Sequence, residues 1–267
     1  MQEHAFGPLL RDWRQRRRMS QLALACEAEI STRHLSLLEC GRAAPSRDMI
    51  VRLAEQLEVP LRERNRLLLA AGFAPAYPER SVDDAALQAA MLAVDRVLEA
   101  HEPFPGLAVD RHWTMIRANG MVAPLLGTVA PALLTPPVNV IRLSLHPDGL
   151  WPLVANHAEW RAHILTRLAR QVRETGDEAL GRLYDEVKAY APDAGAAVRV
   201  APGADVVIPF QLRTPLGTLS FITTTLLFGS PTEVTLSELA VELFFPSDDT
   251  TADALRALAS ARAATPA

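Results

Sequence analysis

Several things are scarce in this sequence, and each scarcity closes a route. Of 267 residues only two are cysteine, Cys26 and Cys40. They form no C-x-x-C and no cysteine–histidine cluster, which excludes a zinc finger. A structural disulfide is not expected in a reducing compartment. Cys26 reads as a small core residue and Cys40 as a partly exposed residue at a helix end. No apolar run approaches the ~18 residues that a membrane helix needs, and no apolar export stretch follows the first methionine. The expected location is therefore the cytoplasm, with no membrane partner. Common enzyme signatures are also missing. There is no G-x-S-x-G elbow, no P-loop, no H-E-x-x-H and no G-x-G-x-x-G. His146, His157 and His163 are isolated, and the spacing of the last two does not place them on one helical face. The expectation is a chain that is not an enzyme and has no metal and no cofactor. An enzymatic second half is the alternative from another class.

Hydrophobic residues make up 49% of the chain, enough for a substantial core in one large or two modest domains. The formal net charge is −4, but it is unevenly spread. Residues 1–75 hold 12 arginines and 9 acids, net +3, and the remainder holds 15 bases and 22 acids, net −7. A mildly basic small domain beside an acidic larger one suits contact with nucleic acid at one site rather than general phosphate coating. Lysine is nearly absent, with Lys188 set against 26 arginines. That bias carries no weight for binding.

The stretch from Ser20 to Arg42 reads as two short helices joined by a tight turn. The first runs from about Ser20 to Glu27, with Leu22, Ala23 and Cys26 as its expected inner face. The second begins at Ser31, a good N-cap, turns Leu35 and Leu38 inward, and stops at Gly41. Two helices this short cannot make a core alone. They need a first helix over residues 6–17, with Leu9, Leu10 and Trp13 as its apolar stripe and Arg11, Arg14, Arg16, Arg17 and Arg18 around it. They also need helices over 46–57, opened by Ser46, and over 61–71, stopped by Gly72. A helix-turn-helix unit presents its second helix to the major groove of DNA.

Arg18 to Ala23, Ile30-Ser31, His34 to Ser36, Leu38-Glu39, Gly41-Arg42 and Pro45-Ser46 together resemble the phage-repressor (xenobiotic-response-element) class of helix-turn-helix regulators. The resemblance covers roughly residues 6–73. One departure is Glu29, at a turn position usually held by glycine in that class. A left-handed backbone there costs about 1 kcal/mol or more for a non-glycine residue.

Candidate DNA contacts follow. Ser31 and Thr32, at the start of the second helix, can reach phosphate. If Leu35 and Leu38 face the core, Arg33, His34 and Ser36 point outward, and Arg33 suits the bidentate contact to a guanine edge. By the resemblance, Gln21 contacts backbone or base. Arg42 completes the set, and Glu39 is expected to pair with it. The arginine-rich first helix either touches phosphates or forms a solvated face.

FAPAYPERS, residues 73–81, is irregular and proline-containing and marks the expected boundary between a DNA-binding domain, 1–75, and a second domain, 80–260. Beyond it comes a helix over about 82–100, apolar through Ala86, Ala90, Leu92, Val94 and Val97. A short hairpin follows, with LAV and WTMI flanking Asp110-Arg111-His112. Helices are expected over 156–174 and 177–190. VVIPFQLRT and TLSFITTTLLFG, joined at Pro215-Leu216-Gly217, form a second hairpin, and ELAVELFFP a last strand. The expected fold class is α+β: five helices with a helix-turn-helix, then a PAS-like domain with a small antiparallel sheet of about five strands and helices inserted after the first two.

PVNVIRLSLHPDGLWPLVANHAEWRAHIL and LGTLSFITTTLLFGSPTEVTLSELAVELFFP are similar to the MmyB-like ligand-binding domain, over about residues 80–256. The resemblance implies a PAS-like fold, an apolar ligand such as a fatty acid, and dimerisation. Trp151 and Trp160, with Arg142, Asn156 and Arg161 in the same region, offer aromatic walls and a cation for a carboxylate-bearing ligand. The plainer reading makes the tryptophans core. Phe210, Leu212, Phe221 and Thr223 alternate along the sheet, so one face should line a cavity. The expected function is sequence-specific binding of a double-stranded DNA operator by a homodimer that senses a small molecule. The alternative is a constitutive regulator whose second domain only pairs subunits or recruits a partner.

Overall fold

Serines 20, 31 and 46 each sit in extended backbone at the point where a helix begins. Their hydroxyls accept the backbone N–H groups of Ala23, His34 and Met49 at 3.0, 3.1 and 3.2 Å. These caps fix the starts of α2 (Gln21–Glu27), α3 (Thr32–Glu39) and α4 (Arg47–Gln56), which follow α1 (Phe6–Arg16) and precede α5 (Leu61–Ala70). The structure, a computed structural model, describes residues 6–190 and 207–264. The chain divides into two units. The first runs to Ser81 and takes in Arg173–Thr175 and Ser230–Ser237; the second holds the rest.

The first unit closes around Leu10, Trp13, Leu24, Leu35, Leu38, Ile50, Leu53, Leu57, Leu67 and Leu68, all buried. Gly41 and Gly72 end α3 and α5 at φ +69° and +83°, the left-handed conformation glycine tolerates without strain. At the turn between α2 and α3, Glu29 adopts φ +54°, so the strain expected there is present and tolerated. The inner face of α2 differs from the expectation. Leu24, Ala25 and Ala28 are buried, whereas Leu22 is 62% exposed and Cys26 is also on the surface. Five consecutive apolar side chains from Leu22 to Cys26 allow more than one apolar face, and tertiary packing selects between them.

The segment after α5 is tied down rather than free. Asn65 accepts the N–H groups of Ala76 and Tyr77 and donates to the Tyr77 carbonyl. Glu233, 5% exposed, accepts N–H groups from Arg80 and Leu236, both at 2.8 Å. Val234 donates to the Pro78 carbonyl at 2.9 Å, and the Thr235 hydroxyl donates to the Arg80 carbonyl.

In the second unit a 3-10 turn, Ala85–Leu87, leads into α6 (Gln88–Ala100). Its buried face is Met91, Val94 and Leu98. Leu92 and Val97, also part of its apolar set, are 52% and 36% exposed. The hairpin β1 (Gly106–Val109) and β2 (Met115–Ala118) follows, then α7 (Val140–Leu145), α8 (His157–Thr175) and α9 (Glu178–Ala189). β3 (Phe210–Thr214) and β4 (Gly217–Leu227) form the second hairpin; the start of the expected strand, at Val206, lies outside the described residues. α10 (Val234–Ser237), β5 (Ala240–Pro246) and α11 (Asp249–Ala263) complete the chain. The sequence reading has no counterpart for α11, which buries only Thr251, Ala252 and Leu255.

The five strands form one antiparallel sheet in the order β2-β1-β5-β4-β3. The α+β class and the helices inserted after the first hairpin are as expected. Alternation along the strands sends Leu107 and Val109 to one face and Ala108 to the other. On the second face, Ala108, Val241 and Leu243 pack with α6. On the first face, α7, α8 and α9 help to enclose the main core.

Candidate DNA-reading surface and ligand cavity

Leu35 and Leu38 are fully buried, so α3 turns its opposite side outward. Ser31 and Arg33 are exposed, and Thr32, His34 and Ser36 are half-buried. Ser31 caps α3 through the His34 N–H, and a capped helix start next to an exposed arginine is an arrangement in which the helix start can hold a phosphate while the arginine reaches a base. Arg42 is exposed beyond the end of α3.

A buried ion pair holds α3 in place. The Arg14 guanidinium donates to both Glu39 carboxylate oxygens, at 2.6 and 2.9 Å, and to the Met19 carbonyl at 2.8 Å. The Gln21 side-chain amide donates to Glu39 at 2.8 Å. Arg14 and Glu39 side chains are 11% and 3% exposed. The expected Glu39–Arg42 pair is therefore replaced by Glu39–Arg14, which links α1, the start of α2 and the end of α3. Burial alone pushes the Glu39 carboxyl upward, but hydrogen bonds from Arg14 and Gln21 and the Arg14 charge outweigh it and hold the group below the usual carboxylate range. Arginines at and just beyond the end of α1 are also engaged: Arg17 donates to the Leu57 and Glu58 carbonyls, and Arg16 pairs with Asp12.

The first face of the sheet and the helices over it enclose an apolar cavity of about 110 Å³. Phe210, Leu212, Phe221 and Thr223 line it from β3 and β4, with Phe244 from β5 and Leu107 and Met115 from the first hairpin. Trp160, Ile164 and Arg167, spaced four and three apart along α8, line it from above, with Ile141, Leu143 and Ser144 from α7. The Trp160 indole N–H donates to the Ser144 hydroxyl at 2.8 Å, so its polar edge is satisfied inside the wall.

Trp160, Phe210 and Phe221 thus come together in the lining; Trp151, Asn156, Arg142 and Arg161 do not line it. Arg142 forms a two-pronged pair with Glu186 at 2.7 Å per bond, and Tyr190 donates to the same carboxylate. The hydrogen bond from Arg142 holds the Glu186 carboxyl below its usual range, and burial beside that carboxylate pushes the Tyr190 phenol up to about 12. Asn156 bridges β3, donating to the Pro209 carbonyl and accepting from Gln211. Arg161 donates to the Lys188 carbonyl. Trp151 packs edge-on against His157, whose Nε2 lies 2.8 Å from the Trp151 carbonyl oxygen. His146 packs against Tyr190, and His163 stacks on Trp160, where burial lowers its pKa.

The charged pair in the lining, Arg167 and Glu242, was not singled out from the sequence, and neither was Trp113 beside it. Arg167 donates to Glu242 at 2.6 and 3.1 Å and to Thr225 at 2.8 Å. Its guanidinium lies 4.4 Å from the centre of the Trp113 ring. Trp113 adopts φ +67°, a rare conformation for a bulky aromatic residue and a mark of local strain. The signal for Glu242 was present: a lone acid inside the apolar strand AVELFFP, in phase with Phe244.

A helix-turn-helix head and an α+β domain built around an apolar cavity define a DNA-binding transcription regulator with a ligand-binding domain. Residues 90–258, more than half of the chain, match the family model of the MmyB-like transcription regulator ligand binding domain, and the chain belongs to that family. Residues 5–67 match a helix-turn-helix domain. No curated protein matches the chain. Among the described residues, no helix is long and apolar enough to cross a membrane.

Proposed function

We propose that this regulator binds a short, roughly palindromic operator as a homodimer, with α3 in the major groove, and that an apolar small molecule, fatty-acid-like in its aliphatic body, occupies the second-domain cavity. The observation that carries the reading is the cavity itself, walled by Trp160, Phe210, Phe221 and Phe244. Pairing is expected because one head of this size covers only a half-site, and the exposed Leu92 and Val97 on α6 offer apolar surface for it. Ser31, Thr32 and Gln21 would hold the backbone, Arg33 would read a guanine, and His34, Ser36 and Arg42 would flank that contact. Ligand shifts operator affinity only by its differential affinity for the DNA-competent and incompetent arrangements.

The test combines native mass spectrometry of the purified protein with operator titrations. A stoichiometric small-molecule adduct on a dimer, lost on denaturation, together with an operator affinity that changes when the adduct is removed, supports the reading. A dimer whose operator affinity is the same with and without the cavity filled overturns the sensing part and leaves a pairing domain.

A further inference from the structure

The cavity's charge is already balanced from within. Among the described residues, its only charged lining residues are Arg167 and Glu242, and they face each other as a two-pronged pair. Glu242 lies on β5 directly opposite Thr225 on β4 and Leu107 on β1. The Thr225 hydroxyl donates to Glu242 at 2.9 Å while accepting from Arg167 at 2.8 Å. The Glu242 side chain is 5% exposed and that of Arg167 19%. The face of Trp113 covers the guanidinium. The fork that would receive a ligand carboxylate is therefore occupied by a carboxylate of the protein.

A carboxylate ligand would have to detach Glu242 from Arg167, leaving a buried anion without a partner beside a second anion. An amine meets the mirror-image obstacle, because it would compete with Arg167 for Glu242. A hydroxyl or carbonyl displaces nothing. It can hydrogen-bond at the edge of an ion pair that stays intact, or at the Ser144 hydroxyl within the same lining. Size narrows the class further. About 110 Å³ is below the ~150 Å³ apolar cavity that takes benzene and well below the ~300 Å³ where pockets for drug-sized ligands begin.

We propose that the cavity takes a small, uncharged amphiphile, an aliphatic body of about four to six carbons ending in a hydroxyl or carbonyl, and rejects the carboxylate and the amine of the same length. This rests on reading the cavity as the ligand site.

The test uses the full-length protein at neutral pH and matched sets: n-butanol with butyrate, and n-hexanol with hexanoate and hexylamine. Trp113 and Trp160 line the cavity, so their fluorescence reports occupancy, and the midpoint of thermal unfolding gives a second readout. The expected result is that the alcohols bind about 100-fold or more tightly than the ions of equal length. In Glu242→Gln, Arg167 keeps its charge without a counter-charge, and hexanoate affinity rises at least about tenfold relative to hexanol. Hexanoate or hexylamine binding as tightly as hexanol in the native sequence overturns the head-group assignment and leaves the ligand site standing. Alcohols, acid and amine all failing to move either readout overturns the assignment and the ligand-site reading together. The native-sequence comparison decides the matter even where Glu242→Gln folds poorly.

Discussion

Arg33 and Arg14 illustrate two different jobs for one residue type. Arg33 is exposed on the outer side of α3, and Arg33→Ala should leave folding intact while relaxing base preference by about 1–3 kcal/mol at one operator position. Selection from a randomised site reads this directly; unchanged preference removes Arg33 from the reading role. Arg14 is internal. Arg14→Ala leaves the 3%-exposed Glu39 carboxylate without its cation and should destabilise the first unit by about 3 kcal/mol, measured by urea unfolding. The sign of the pH effect follows from the lowered Glu39 pKa. Its contribution is complete above the ordinary glutamate value of 4.5 and is lost as pH falls through the lower folded value. Acid unfolding profiles should therefore steepen in that range for the native sequence and flatten for Arg14→Ala. The outward set on α3 was legible because a serine cap and two leucines at helical spacing fix a helix's rotation. The partner of Glu39 was not, because Arg14 lies 25 residues earlier on another helix and only tertiary packing brings it near.

At the level of elements, legibility tracked length and alternation. α8 is 19 residues long and β4 is 11, and both were readable from their periods. α2, with seven residues, offered no unique inner face. α11 hides its small buried face behind weak amphipathicity. Four of the expected ligand residues failed to converge for a related reason. Proximity in sequence placed Arg142, Trp151, Asn156 and Arg161 near Trp160, but the turns of α7 and α8 send them to the Glu186 pair, the β3 edge and the α9 end instead. Helix contacts also predict an intolerant position. A Cβ at Gly7 would lie 2.5 Å from the Glu39 carbonyl oxygen and 2.6 Å from that of Leu38, so α1 and α3 approach backbone to backbone. Gly7→Ala should cost about 1–3 kcal/mol in thermal unfolding and weaken operator binding by tilting α3. An unperturbed melting temperature would show that α1 can yield without consequence.

For the whole molecule, cavity and operator response should stand or fall together. Ile164→Phe fills cavity space from α8. It should abolish ligand-induced stabilisation, which for a site that binds only the folded state grows as RT ln(1 + [L]/Kd). Operator affinity should then become indifferent to ligand; retained ligand response would place the sensing site elsewhere. Another whole-molecule consequence comes from the anchorage of Glu233, Val234 and Thr235 on Pro78 and Arg80. The first unit includes a piece of chain, Ser230–Ser237, whose Glu233 follows Arg80 by 153 residues. It is not an inheritable cassette. A recombination event joining residues up to Ser81 to a foreign sensor would deliver a head whose Arg80 N–H and Pro78 carbonyl have lost their partners. Successful shuffling in this lineage must keep the head and the loop between β4 and β5 together, so the two should diverge as one unit.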